Sequence, residues 1–257
     1  MSALVLSGQV VEFGGEVGDL EGVGWLPAGK TNPRPRKVGA VILHTVYGKR
    51  GPTLPGAGPL GARGWTRANL RTVGHAAIAS WDFTVDRAGV VYQQNDPTQR
   101  YTWHAGGVNA YTVGIEMVQT EKGEIYEATL NATGLLVEVL CQHYQIQPWI
   151  PWVGSEPVVG VLDRLTGAVR PPGVFGHRNQ TVQRGPGDPG DAIFHTLKAR
   201  GFRGVDYARS EDECIVKAAQ ARLGVARDGD FGGLSKAAAV AAGWAHGWIP
   251  AEVAPIP

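Results

Sequence analysis

Apolar residues along this chain recur with two different periods. Val38 to Leu43 is an almost unbroken apolar run that reads as a strand buried on both faces, with His44 at its end. Phe83 to Gln93 alternates apolar and polar positions around Asp86-Arg-Ala-Gly89, whose residue types suit a turn, so this stretch predicts a hairpin. Thr112 to Val118 predicts a further strand and places Glu116 on it. From Ala128 to Gln145 the period lengthens, with Leu135, Leu136, Val139 and Leu140 near helical spacing, which predicts a helix packed on the sheet.

The segments between these runs differ in character. Lys30 to Arg36 holds Pro33 and Pro35 and reads as an extended linker before the first core strand. Residues 48–64 are rich in Gly and Pro and predict a long loop beside His44, bordering a groove. A long connection runs from the helix to His177, with Trp149, Trp152 and a short helical candidate, Val158 to Leu165; long ordered connections are often functional. Beyond residue 204 the chain turns alanine-rich. Ser210-Glu-Asp-Glu213 reads as a capping box opening a helix through Leu223, and Lys236 to Gly243 as a second helix.

Composition narrows the function classes. The 257 residues allow one domain with a smaller companion, or two. Lys plus Arg number 24 against 23 Asp plus Glu, a net charge of +1, so no nucleic-acid partner is expected. Cys141 and Cys214 lie in different candidate helices without Cys-x-x-Cys spacing, and read as small packing residues rather than a disulfide or a zinc site. No apolar stretch is long enough to span a bilayer, so no stable membrane insertion is expected. The first residues lack the basic start of a secretory signal.

His177 and Asp188 share one glycine-rich stretch, Gly176-His-Arg-Asn-Gln-Thr-Val-Gln-Arg-Gly-Pro-Gly-Asp-Pro-Gly190. The Pro186, Gly187, Pro189 and Gly190 cluster favours a turn that returns Asp188 toward His177. With His44 they make two imidazoles and one carboxylate, the ligand count of a catalytic zinc site that keeps one position open. His-x10-Asp is not itself diagnostic of a metal, and a His ending a strand is commonly an ordinary half-buried residue.

Several blocks in order carry a resemblance: His44 ending a strand, the Asp-x-x-Gly hairpin followed by Tyr92-Gln93, Trp103-His-Ala-Gly106, Gly114-Ile-Glu116, Gly176-His177 and Asp188-Pro-Gly190. Over residues 36–200 the chain resembles the type-2 N-acetylmuramoyl-L-alanine amidases, which include phage endolysins, bacterial cell-wall recycling amidases and animal peptidoglycan-recognition proteins. The resemblance implies an α/β domain with a central mixed sheet flanked by helices. It also implies a one-zinc hydrolase that cuts the amide between the lactyl group of N-acetylmuramic acid and L-alanine in peptidoglycan. Carried over by motif, His44, His177 and Asp188 match the zinc ligands, and Glu116 the acidic residue at the catalytic centre of the recycling branch. A zinc hydrolase without a secretory signal suits a phage or prophage endolysin held in the host cytoplasm before release, and a monomer is expected.

The chain departs from the family pattern in places. A Lys commonly stands two residues before the Asp ligand, where this chain has Pro186; Arg184 is the nearest cation, either stabilising an oxyanion or a solvated loop charge. The interval from His177 to Asp188 is one residue longer than usual. Trp81 stands where phage and animal relatives often carry a Tyr, which favours Glu116 as base. Trp103, His104 and Asn109 are the expected substrate contacts. Against that, His104 suits a backbone-bonded turn, Asn109 a turn cap, and Trp65, Trp81 and Trp103 core packing as well as stacking on sugars. His75 reads as a core residue and His143 as a surface one; His195 and His246 have no motif support.

These readings divide the chain into an N-terminal extension and linker (1–35), a catalytic domain (36–203) and a helical unit (204–257). In the last, Leu223-Gly and Asp228-Gly-Asp-Phe-Gly232 resemble the small peptidoglycan-binding domains attached to wall hydrolases, over about 40 residues. The alternative for the unit is a helical extension that packs on the amidase. Two rivals remain for the whole: a module that binds muramyl peptides without cutting them, and a glycosidase using Glu116 with Asp86 or Asp188, which leaves His44 and His177 unexplained.

Overall fold

The computed structural model describes residues 3–18, 31–46, 80–120, 123–160, 172–181, 186–205, 207, 220, 222–226 and 233–243. They form two units: residues 1–150 with 157–203, and residues 151–156 with 204–257.

Strands follow one another as β1 (Ala3–Leu6), β2 (Gln9–Glu12), β3 (Thr31–Pro33), β4 (Ala40–Val46), β5 (Phe83–Val85), β6 (Val91–Gln93), β7 (Arg100–Thr102), β8 (Thr112–Val118), β9 (Trp149–Val153), β10 (Glu156–Pro157), β11 (Gly173–Gly176) and β12 (Arg203–Val205). Helices are α1 (Glu127–Tyr144), α2 (Ala192–Ala199) and α3 (Gly233–Ala241). The central sheet of the first unit has the order β11-β4-β8-β5-β6. Its first four strands are parallel and β6 is antiparallel to β5, so the sheet is mixed, as expected.

Burial explains why β4 is the spine. Ala40, Val41, Ile42 and Leu43 have no exposed surface, because parallel neighbours lie on both edges and both faces are covered. The strand runs two residues past His44, which therefore lies within a paired strand rather than at its end. The hairpin closes where its residue types predict: Asp86 N–H donates to Val90 O, and Gly89, at φ +81°, supplies the left-handed turn. A side chain at Gly89 would also collide with the Ala128 carbonyl, so the turn packs tightly against the start of α1. That helix buries Thr129, Ala132, Thr133, Leu136, Val137, Leu140 and Cys141, a stripe at three- and four-residue spacing, while Leu135 and Val139 flank it half-buried. Burial raises the Cys141 thiol to about 12, which suits a packing residue.

Several expectations change. Thr31–Pro33, read as part of a linker, pairs with Arg100–Thr102 as an antiparallel strand. The first residues form the β1–β2 hairpin, whose Leu4 and Leu6 are fully buried; the Gln93 carboxamide bonds Val5 through both its oxygen (2.8 Å) and its nitrogen (2.6 Å). Trp149 and Trp152, assigned to a connection, stand on β9. Val158 to Gly160 is not helical, and residues 161–165 lie outside the described residues. So do the loop 48–64, Trp65, His75, Cys214 and His246. His143 is half-buried, its Nε2 2.9 Å from Ser7 Oγ, and His195 is exposed on α2.

In the second unit, α3 covers most of the predicted second helix. Ala239 is fully buried there, and Gln220 Nε2 donates to Ser235 Oγ at 3.2 Å. Residues 210–219, most of the first predicted helix, are outside the described residues.

Candidate metal centre

Parallel strands that start level also end level, and the crevice beyond their carboxyl ends is where α/β sheets place ligands. Register makes this concrete. His44 of β4 pairs with Glu116 of β8, which pairs in turn with Thr84 of β5. On the other side Gly176 pairs with Leu43, so His177 is the next residue beyond the pairing. Register partners in a parallel ladder share a face. One row across the sheet thus brings Thr84, Glu116 and His44 together, with His177 following.

Asp188 joins them from the turn at residues 186–189. Its Oδ1 accepts the Thr45 backbone N–H at 2.9 Å, and Thr45 Oγ1 donates to Gly187 O at 2.9 Å, so the residue after His44 anchors the turn twice. Arg178 anchors it from the other side: its N–H donates to Asp188 O (2.7 Å), and its guanidinium to Pro186 O (3.0 Å) and Asp191 Oδ1 (2.7 Å). The Arg178 side chain is 1 % exposed, and its guanidinium lies over the Phe194 ring. Burial lowers its pKa, opposed by Asp191.

One nitrogen from each of His44 and His177 and one oxygen of Asp188 lie within 4.8 Å of one another, all three residues being buried. The two imidazoles meet edge-on, centroids 4.5 Å apart. His177 Nδ1 is buried, makes no hydrogen bond among the described residues, and faces Asp188 Oδ2 at 3.3 Å. Buried polar atoms are nearly always satisfied. A ring nitrogen of this kind, beside a carboxylate oxygen and a second imidazole, fits a shared divalent cation of the zinc type, for which N and O donors are suited.

His104 is buried against this cluster. Its Nδ1 is 3.0 Å from His44 Nε2, and its Nε2 is 3.1 Å from Thr112 Oγ1. Burial, with added repulsion from Arg34 and His177, lowers its pKa to about 3, so the ring is neutral. Glycine at 114 makes room for it: a Cβ there would stand 2.6 Å from His104 Cγ. Asp82 holds that glycine, accepting Gly114 N–H at 2.7 Å together with Asn95 Nδ2 (2.7 Å) and Thr102 Oγ1 (3.1 Å). Burial raises the Asp82 carboxyl, partly offset by Arg34.

The other candidates divide. Asn109 spends its side-chain oxygen on the backbone N–H groups of His104 (3.1 Å) and Ala105 (2.6 Å), as a turn cap does. Trp103 is half-buried, and Trp81 is buried with Nε1 donating to Thr84 Oγ1 at 2.7 Å. Arg184 lies outside the described residues. Sequence reasoning passed over Arg178, Thr45, Thr112 and Asp82. The first two adjoin His177 and His44 directly, which was a usable signal; nothing local marks the others.

Residues 34–191, more than half of the chain, match the N-acetylmuramoyl-L-alanine amidase family. The chain belongs to that family. All four residues of the cluster and its flank, His44, Glu116, His177 and Asp188, fall inside the matched segment. A relative is the N-acetylmuramoyl-L-alanine amidase XlyA of Bacillus subtilis (strain 168), 27 % identical over 149 residues, which are 55 % of this chain and 49 % of the relative. This amidase-family chain therefore spans about half the length of that curated relative. Among solved structures, a selenomethionine derivative of AmpD is 18 % identical with a TM-score of 0.42, covering 67 % of this chain and 90 % of its own. The catalytic domain of XlyA is 20 % identical with a TM-score of 0.39, covering 67 % and 95 %. Drosophila peptidoglycan-recognition protein SA is 19 % identical with a TM-score of 0.37, covering 46 % and 68 %.

Proposed function

We propose that this chain hydrolyses the lactyl amide between N-acetylmuramic acid and L-alanine in bacterial peptidoglycan, with one zinc ion held by His44, His177 and Asp188. The observation that carries the reading is the convergence of these three side chains within 4.8 Å inside a segment that matches the amidase family. When bound, zinc supplies Lewis acidity for the scissile carbonyl and lowers the pKa of a coordinated water to about 7.

The chain's own residues do the rest. Glu116, beside His44 in register, takes the proton of the attacking water and passes it to the leaving amine of L-alanine. Arg184, four residues before Asp188 in the sequence, is the cation we assign to the developing oxyanion. Trp103 is the proposed contact for the glycan, and His104 and Asn109 shape the floor beneath it through their contacts with His44 and the 104–105 backbone.

Its setting is a phage or prophage endolysin acting on the wall after release from the host cytoplasm. Among the described residues no helix is long and apolar enough to cross a membrane. We assign residues 204–257 to wall binding, which would raise the local concentration of enzyme on an insoluble substrate.

The test is digestion of purified peptidoglycan with and without a chelator, reading the new ends by mass spectrometry. Expected are intact glycan strands and peptides beginning with L-alanine, formed only when metal is present. Shortened glycans would establish a glycosidase instead, and binding without cleavage a recognition module.

A further inference from the structure

Proton positions in the buried core of the site follow from its hydrogen bonds. A threonine hydroxyl carries one hydrogen. That of Thr112 is donated to the Val108 carbonyl oxygen at 3.1 Å. Thr112 Oγ1 then meets the His104 ring as an acceptor, so the His104 proton sits on Nε2. A neutral imidazole protonated at Nε2 has a bare lone pair at Nδ1. His104 Nδ1 stands 3.0 Å from His44 Nε2, and two bare nitrogens would repel, so His44 is the donor. Neutral His44, the form able to ligate a cation, therefore keeps its proton on Nε2 and a lone pair on Nδ1.

We infer that His104 is a positioning residue: through the chain His44 Nε2–H to His104 Nδ1, His104 Nε2–H to Thr112 Oγ1 and Thr112 O–H to Val108 O, it holds His44 in the one neutral tautomer that offers Nδ1 to a cation shared with His177 and Asp188. This inference rests on the proposed metal reading. The opposite polarity would put the His44 proton on Nδ1, where a cation has to bind. Metal-binding histidines usually donate their second N–H to a carbonyl or carboxylate. Here the acceptor is another imidazole, whose own polarity is fixed two bonds further on by the main chain.

The surroundings are built to keep that polarity. The ring of His104 occupies the space that Gly114 leaves, and Gly114 is in turn held by Asp82 through its N–H. Val108 lies within the 3-10 turn Gly106–Tyr111 and Thr112 caps its end, so the terminal carbonyl of the relay is part of a regular backbone segment.

The experiment uses the full-length chain labelled with 15N at histidine and stripped of metal. Long-range 1H–15N correlation spectra at neutral pH report the tautomer of each ring. His44 and His104 are both expected in the Nε2–H form; a His44 proton on Nδ1 would overturn the relay. Zinc affinity is then measured by competition with a chromogenic chelator. His104→Leu is expected to weaken zinc about 10- to 100-fold, the usual range for losing a ligand's hydrogen-bond partner. His104→Asn, whose side-chain oxygen can accept from His44, is expected to restore most of it. Wild-type affinity in His104→Leu, or no recovery in His104→Asn, would overturn the inference. If His104→Leu loses its near-ultraviolet circular dichroism, Thr112→Val carries the same test, because it removes the acceptor and leaves both rings. An unchanged His44 tautomer and zinc affinity in Thr112→Val would then overturn the relay. Absence of zinc binding by the wild-type chain would defeat the metal reading alone, since the tautomers of the metal-free protein report on the relay separately.

Discussion

The two halves of the site are made in different ways. His44 and Glu116 sit on β4 and β8, strands that pair in register over seven residues, from Ala40 with Thr112 to Val46 with Val118. Their relative position follows from the ladder itself: once the apolar faces of both strands are buried, a one-residue slip would turn every side chain over. His177 and Asp188 come after the sheet, on a short 3-10 turn and an irregular one. No ladder fixes them. The clamps do: Thr45 grips the Asp188 turn from the end of β4, and Arg178 grips it from beside His177. Backbone regularity places the first half and side-chain hydrogen bonds place the second, so substitutions on the two sides should fail differently.

The largest effect should come from breaking the turn-borne half at its centre. His177→Ala is expected to lose bound metal and hydrolysis together, checked by elemental analysis of purified protein and by product formation from peptidoglycan. On the strand-borne side, Glu116→Gln should keep metal and fold while activity falls about 10²- to 10⁴-fold, the usual contribution of a general acid–base. Turnover at the parental rate would remove Glu116 from the mechanism.

Arg178→Met sharpens the contrast further. A methionine keeps an apolar stem over Phe194 and removes a buried charge, two of whose nitrogens, Nε and Nη2, are buried without a hydrogen bond among the described residues. Its carboxylate partner Asp191 has a half-exposed side chain, so water takes over the lost bond and no unpaired charge is left buried. Thermal stability should change little, yet zinc should bind about 10- to 100-fold more weakly because the Asp188 turn has lost a clamp. Equal metal affinity would show that Thr45 suffices.

Gly114→Ala acts on the strand side. The added methyl meets His104 at 2.6 Å, an overpacking expected to cost about 1–3 kcal/mol in urea unfolding, with metal binding weakened as the ring is displaced. The smallest effect is expected from Thr45→Val, which deletes the hydroxyl bond to Gly187 O and leaves the backbone bond to Asp188. About 1 kcal/mol of stability should go, readable by the same unfolding titration.

The strand-borne half was also the more legible one. Thr112–Val118 was expected at the observed bounds, the 83–93 hairpin at its turn, and α1 within one residue at each end. Each rests on a local period or on turn residues whose physics acts within a few positions. What went unread depended on contacts between distant residues. Thr31–Pro33 looked like a linker because two prolines favour extended backbone, and extended backbone also pairs as an edge strand when a partner such as Arg100–Thr102 is available. The N-terminal hairpin looked detachable because nothing in its sequence announces that Leu4 and Leu6 will be buried. Arg178 was one residue from His177 and passed unnoticed, since a buried arginine reads in sequence as a surface charge.

By itself, then, the sequence determined the strands β4 and β8, the β5–β6 hairpin, the long helix, the amidase-family blocks and the identity of the three residues able to share a cation, because hydrophobic periodicity and donor chemistry are properties of residues. Only the tertiary structure decided that His44 and Glu116 are register neighbours, that Asp188 closes on His177 across a turn held by Thr45 and Arg178, and that His104 and Thr112 set the polarity of the hydrogen bonds behind His44. Those facts are distances and proton positions between residues far apart in the chain, and they exist only once burial has excluded water as the alternative partner.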